Sequence, residues 1–113
     1  MTTYKFGDVV LVPFPFTDQT TVKKRPTIVV SSQDCHSARL DLILIAVTSQ
    51  IRSPLLFGEV EISDWQSAGL LKTSVIKPVL TTLQKNLVIR QLGNLQNLDC
   101  EALKHLLKTI LEP

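Results

Sequence analysis

Cysteine, aromatic side chains and charge are all scarce in this 113-residue chain. Cys35 and Cys100 share no metal-ligand spacing and have no second pair near them, so a thiolate metal site is excluded and two reduced thiols are expected. Charged residues make up only 19% and mean hydropathy is positive, which predicts that some apolar surface is covered by another chain, most simply a second copy in a homodimer. A net charge of +2 excludes a general cationic field, so any role with a polyanion has to rest on a local cluster. No apolar run approaches the roughly eighteen residues of a membrane span, and no apolar h-region of a secretory signal stands behind Met1-Thr2-Thr3-Tyr4-Lys5. A soluble, cytoplasmic protein without membrane contact is expected. The length leaves room for one domain, residues 1–113, with one core, since folding at this size buries roughly two-thirds of the unfolded chain's surface.

What is present is a succession of short apolar strands with cations where one of them begins. Gly7-Asp8-Val9-Val10-Leu11-Val12-Pro13-Phe14-Pro15-Phe16-Thr17-Asp18 precedes Lys23-Lys24-Arg25-Pro26-Thr27-Ile28-Val29-Val30-Ser31. The spacing predicts a strand over Val9–Val12 ended by Pro13 and Pro15, which cannot donate to a ladder. A polar loop from Thr17 to Lys24 and a second strand over Thr27–Ser31 follow. A further polar loop, Ser32 to Arg39, leads to a strand over Leu40–Thr48 that is apolar on both faces and so expected at the centre of a sheet. Glu59-Val60-Glu61-Ile62 alternates as a strand with one wet face. Ser74–Ile76 and a piece near Val79 read as separate strands, with Pro78 marking a bend or an edge, while Leu87–Arg90 is ambiguous. From Leu98 to Leu111 a helical stripe of Leu98, Ala102, Leu103, Leu106, Leu107 and Ile110 faces the sheet, and Asp99, Glu101, Lys104, His105 and Lys108 take the other side. The predicted class is mainly β (α+β): a small, strongly bent SH3-like barrel closed by a C-terminal helix.

Cations gathered at a strand end can hold an anion on a rigid scaffold, and phosphate is the commonest anion for an arginine fork. The same cluster can instead be a solvated edge that discourages strand pairing. The opening Gly-Asp-Val-Val-Leu-Val-Pro-Phe-Pro-Phe, Arg25-Pro26, Thr48-Ser49-Gln50, Ser74-Val75-Ile76-Lys77-Pro78 and Leu92-Gly93-Asn94-Leu95 stand in an order and spacing that resembles the PemK/MazF toxins of bacterial toxin–antitoxin pairs. That resemblance implies the SH3-like fold and metal-independent, cofactor-free, sequence-selective cleavage of single-stranded mRNA. It implies catalytic roles for Arg25 and Thr48, and a cognate antitoxin whose acidic segment lies on the cationic site.

The residue chemistry fits in part. Cleavage without metal uses the neighbouring 2′-OH as nucleophile, so the protein must handle two protons and a doubly charged phosphorane. Arg25 can donate two parallel hydrogen bonds, and Thr48 a hydroxyl. A guanidinium stays charged at neutral pH, so Arg25 reads as an electrostatic stabiliser and not a base. Ser49, Gln50 and Ser74 are further RNA-binding candidates, although Thr48-Ser49-Gln50 can equally satisfy turn amides and Ser74 can cap a turn. Lys24 and Lys77 are candidate phosphate contacts that set affinity without setting sequence choice. His36 reads as a solvated loop residue and His105 as a surface one. Phe14, Phe16, Phe57 and Trp65 are the available stacking platforms, with Phe14 and Phe16 expected in the core or a dimer interface. The polar loop carries Asp18 as its only acid. Two alternatives stand beside this reading: a gyrase-inhibiting toxin of the same fold that acts by protein binding, against which the ending Ile110-Leu111-Glu112-Pro113 counts, and a non-cleaving RNA-binding relative.

Overall fold

β-branched and leucine-rich runs set the frame of the computed structural model, in which residues 3–15 and 22–112 are described. The element order is β1 (Asp8–Pro15), β2 (Val22–Val29), α1 (Gln33–Ala38), β3 (Asp41–Thr48), β4 (Val60–Glu61), β5 (Val75–Gln84), a 3-10 turn at Lys85–Leu87, β6 (Arg90–Asn94) and α2 (Asn97–Ile110). All ladders are antiparallel, in the order β4-β5-β3-β2-β1-β6, giving a curled, mostly β sheet with a C-terminal helix as expected.

Both faces of this sheet are covered. Val9, Ile28, Ile45, Val47 and Ile76 pack with Leu103 and Leu106 of α2, whereas Val10, Val12, Phe14, Val29, Leu42 and Leu44 form a second cluster with Tyr4. Residues of opposite parity on one strand thus bury on opposite sides, the pattern of a strand sandwiched between two layers. The central position expected for β3 holds, although Ile43 is exposed and the strand is not covered along its whole length.

Several boundaries differ from the sequence reading. β1 continues through Pro13 and Pro15, because a strand loses nothing to proline where the missing N–H faces no partner. Leu11 turns its carbonyl toward the β6 side, where it accepts from Ile89, and alternation sends Pro13 and Pro15 the same way, past the end of the β1/β6 ladder. β2 starts at Val22, so Lys23, Lys24 and Arg25 lie within the strand opposite Phe14, Pro13 and Val12 and not at its mouth. The part of the expected polar loop from Thr17 to Thr21, Asp18 included, lies outside the described residues, as does Phe16. β5 is one strand through Pro78. Its ladder steps from Leu80/Ile45 to Ile76/Val47, four residues against two, so the proline sits in an irregularity where no ladder bond is required.

The segment expected as a polar loop contains α1, capped by the Ser32 hydroxyl, which accepts from the Cys35 N–H at 3.2 Å. In α2 the expected face holds from Ala102 to Ile110 and departs from the reading in the first turn. Leu98 is 75% exposed, while Asp99, read as outward, is 2% exposed and accepts from the backbone N–H groups of Ser63 (2.8 Å) and Asp64 (2.9 Å). Two backbone donors outweigh the apolar preference of one turn, because an unsatisfied buried amide costs about 1–3 kcal/mol. None of the described helices is long and apolar enough to cross a membrane.

Candidate active site

β2 and β3 are hydrogen-bonded partners only from Thr27/Ala46 to Val29/Leu44, although β2 begins five residues before Thr27 and β3 runs to Thr48. A cleft of about 340 Å³ opens beyond the last pair. Arg25 and Pro26 of β2 line one side of it and Val47 and Ser49 another, and the remainder is built from Leu11 of β1, Arg90 and Leu92 of β6, and residues 69–72 and 74. Both Arg25 and its strand neighbour Pro26 contribute, as they can only where the cleft meets the open edge of the strand. Carried two residues past Thr27/Ala46, the same register sets Arg25 across from Thr48.

Three cations line the cleft, Arg25, Lys72 and Arg90, and no carboxylate does so among the described residues. Leu11, Leu70, Leu71 and Leu92 supply apolar wall between them, which lowers the local dielectric and strengthens attraction for an anion. Arg25 is half-buried against this wall. The geometry therefore suits a phosphodiester with an apolar face beside it.

Of the predicted site residues, the fold brings Arg25, Ser49 and Ser74 into the cleft. Thr48 stands between the lining residues Val47 and Ser49 without itself lining the space. Its hydroxyl oxygen accepts the Gln50 N–H at 3.1 Å, the turn-capping alternative, and its own proton stays available to donate. Ser74 is buried and its hydroxyl donates to the Lys72 carbonyl at 2.9 Å, so it fixes the backbone beside the cleft. Lys24, Gln50 and Lys77 are not part of the lining.

Arg90 and Lys72 were not singled out by sequence reasoning. Arg90 lay in the segment without clear periodicity, and Lys72 in a Leu-Leu-Lys-Thr stretch with no strand or helix pattern. His36 is corrected: it is buried on α1, with Nδ1 at 2.9 Å from the Tyr4 carbonyl and Nε2 against the Ser31 hydroxyl. A carbonyl only accepts, so Nδ1 carries the proton. Ser31 in turn accepts the Ile43 N–H at 3.1 Å, and the whole set ties the N-terminal segment to β3 away from the cleft. His105 is exposed as expected. Phe14 is in the core, Trp65 packs half-buried beside the α2 cluster, and Phe57 is 79% exposed.

The sequence from residue 5 to residue 111 matches the family model of the PemK-like, MazF-like toxin of type II toxin-antitoxin systems. The chain belongs to this toxin family. No curated protein sequence matches this MazF-like chain. Among solved structures, an endoribonuclease in complex with its cognate antitoxin from Mycobacterial species superposes with a TM-score of 0.74 at 17% identity, over 97% of this chain and 94% of that one. The Mycobacterium tuberculosis toxin MazF-mt6 gives 0.72 at 20% identity, over 91% and 94%. A MazE-MazF structure from Deinococcus radiodurans gives 0.69 at 17% identity, over 96% and 94%. These similarities establish a MazF-like fold over nearly the full length of both partners.

Proposed function

We propose that this MazF-like toxin is a metal-independent endoribonuclease that cuts single-stranded mRNA at a short sequence and is held inactive by a cognate antitoxin in the cytoplasm. The observation that carries the reading is the cleft at the parting of β2 and β3, where Arg25, Lys72 and Arg90 converge and no carboxylate lines the space among the described residues. Structural relatives are named as endoribonucleases and as complexes with a cognate antitoxin, which supports the same activity and partner here.

In this reading the ribose 2′-OH attacks the adjacent phosphorus. The P–O5′ bond breaks, and the products are a 2′,3′-cyclic phosphate and a 5′-OH. Arg25 donates paired hydrogen bonds to the phosphorane oxygens and Thr48 adds a hydroxyl donor, both from strand segments held by the sheet. Ser49 at the cleft rim contacts the backbone, and Ser74 holds the Lys72 carbonyl. Lys24, Gln50 and Lys77, outside the lining, act on flanking RNA through charge and polar contact. No imidazole or carboxylate lines the cleft among the described residues, so the chain's contribution within it is charge and hydroxyl donors. An acidic antitoxin segment would seek the same cations and so exclude RNA. Exposed Leu40, Ile43, Val79 and Leu80 support a homodimer that covers apolar surface. Neither the gyrase-inhibiting nor the non-cleaving alternative is favoured by any feature of the site.

The test is incubation of the purified protein with a long single-stranded RNA in excess EDTA, beside Arg25→Ala, with mapping of new ends. Discrete cuts with 5′-OH ends that vanish in the variant support the proposal. Intact RNA at toxin concentrations that still arrest growth in cells would sink it.

A further inference from the structure

β6 carries one more residue than its partner strand can pair. The β1/β6 register runs Asp8/Asn94 and Val9/Gly93, then shifts to Val10/Gln91 and Leu11/Arg90, which leaves Leu92 as the inserted residue of a bulge. Without that insertion the initial register would continue to Val12/Arg90. Val12 belongs to the cluster on the opposite face of the sheet from Leu11, so in that register Arg90 would leave the row that Leu11 forms with Pro26. The bulge moves Arg90 opposite Leu11 instead, and Leu11 pairs on its other side with Pro26. Pro26, Leu11 and Arg90 thus form one row across three strands, and all three line the cleft. With opposed Cα atoms about 4.5–5.5 Å apart in antiparallel pairs, the Arg90 backbone stands roughly 10 Å from Pro26.

This bulge is seated by backbone contact. A Cβ built on Gly69 would lie 2.1 Å from the Leu92 carbonyl oxygen, and one built on Gly93 would lie 2.5 Å from that of Ala68. Only glycines allow the turn before Lys72 to press on the bulged strand that presents Arg90. Two cations of the cleft therefore come from elements locked to each other, and they stand apart from the strand that supplies Arg25.

We infer that Arg90, together with Lys72, forms a second phosphate-binding position that holds the RNA backbone one linkage away from the phosphate at Arg25. The inference rests on the nuclease reading in taking RNA as the ligand. It makes the bound substrate a chain that engages two successive phosphates, and it makes Arg90 a binding residue that governs affinity and register.

The test is fluorescence anisotropy with a labelled, fully 2′-deoxy oligonucleotide, which lacks the attacking hydroxyl, titrated at a series of salt concentrations. Wild type, Arg90→Gln, Arg90→Lys, Lys72→Gln and, as a charge-matched control away from the cleft, Lys108→Gln are compared. For a single strand each lost phosphate contact lowers the slope of log affinity against log salt by about 0.7. Arg90→Gln is expected to show that loss with several-fold weaker binding at low salt. Lys72→Gln is expected to follow it, Arg90→Lys to recover the slope, and Lys108→Gln to match wild type. Thermal melts establish that the variants are folded, and if Arg90→Gln is unfolded the Lys72→Gln slope decides. Slopes for Arg90→Gln and Lys72→Gln equal to that of Lys108→Gln overturn the inference, as does wild-type binding without salt dependence. If wild type binds and Arg90→Gln loses the slope while no RNA is cut in EDTA, the second phosphate position stands and the nuclease reading falls.

Discussion

Replacing Asp99 by Asn keeps the side chain's shape and removes its charge, which makes it a sharp probe of how α2 is tied to the segment at Ser63 and Asp64. The carboxylate is buried in the first turn of α2 and accepts from Ser63 N–H at 2.8 Å and Asp64 N–H at 2.9 Å. In Asp99→Asn the amide oxygen can keep one of these bonds, but the amide NH2 faces the other N–H as donor against donor. A hydrogen bond to a charged group contributes about 1.5–3 kcal/mol and a stranded buried amide costs about 1–3 kcal/mol. Loss of a negative charge at a helix N-terminus adds about 0.3–1 kcal/mol. These terms overlap, and a net loss of about 3 kcal/mol is expected, or about 12 °C in Tm at roughly 4 °C per kcal/mol for a chain of this size. Guanidinium titration and thermal melting by circular dichroism measure it. Asp34→Asn serves as the control: Asp34 is also in the first turn of a helix but is exposed, so its change should stay below about 0.5 kcal/mol. A loss at Asp99 no larger than that at Asp34 would refute the view that the paired amides, and not the helix dipole, account for this buried acid.

Burial, reinforced by the charge of Asp8, raises the Tyr4 phenol above its usual value near 10. The folded chain thus holds that proton more tightly than the unfolded one, so this contribution to stability is complete below the unfolded value and is lost as pH rises through the folded one. Alkaline melts should show Tm falling above about pH 10, with the fall reduced in Tyr4→Phe; parallel curves would remove Tyr4 as the cause. Gly69 has φ +86 and its Cβ would strike the Leu92 carbonyl, so Gly69→Ala should destabilise by at least about 2 kcal/mol in denaturant titration, and a change under about 0.5 kcal/mol would contradict the close contact. Thr48→Val removes the hydroxyl that accepts Gln50 N–H, and RNA cleavage should fall about 10²-fold in kcat with little change in KM; an unchanged kcat would take Thr48 out of the chemistry.

Much of the fold was legible because hydrophobic period and length settle the strands and α2 without knowledge of their neighbours. The parts that were not legible depend on partners that no local window contains. Pro13, Pro15 and Pro78 look like strand breakers until it is known which edge lacks a partner and where the β5 ladder slips. Asp99 looks like an outward acid until the Ser63 and Asp64 amides arrive from a distant turn. Arg25, Ser49 and Ser74 were named because polar residues interrupting an apolar pattern stand in the order and spacing of the family resemblance, and the fold brings them into the cleft. Arg90 was missed because its face is decided by a single inserted residue, and a shift of one reverses the side to which a strand residue points.

The prolines of β1 also constrain what can bind alongside them. From Val12 onward, β1 has β2 on one side and, among the described residues, no ladder on the other, a flank of the kind to which extended peptides often add as a further strand. On that flank Pro13 and Pro15 offer carbonyl acceptors but no donors, so an added strand would find every second bond of its ladder missing. An extended partner lying there has to be recognised through its side chains, by charge and shape. A flank that does not zip up by backbone pairing favours dissociation of such a partner over permanent incorporation into the sheet.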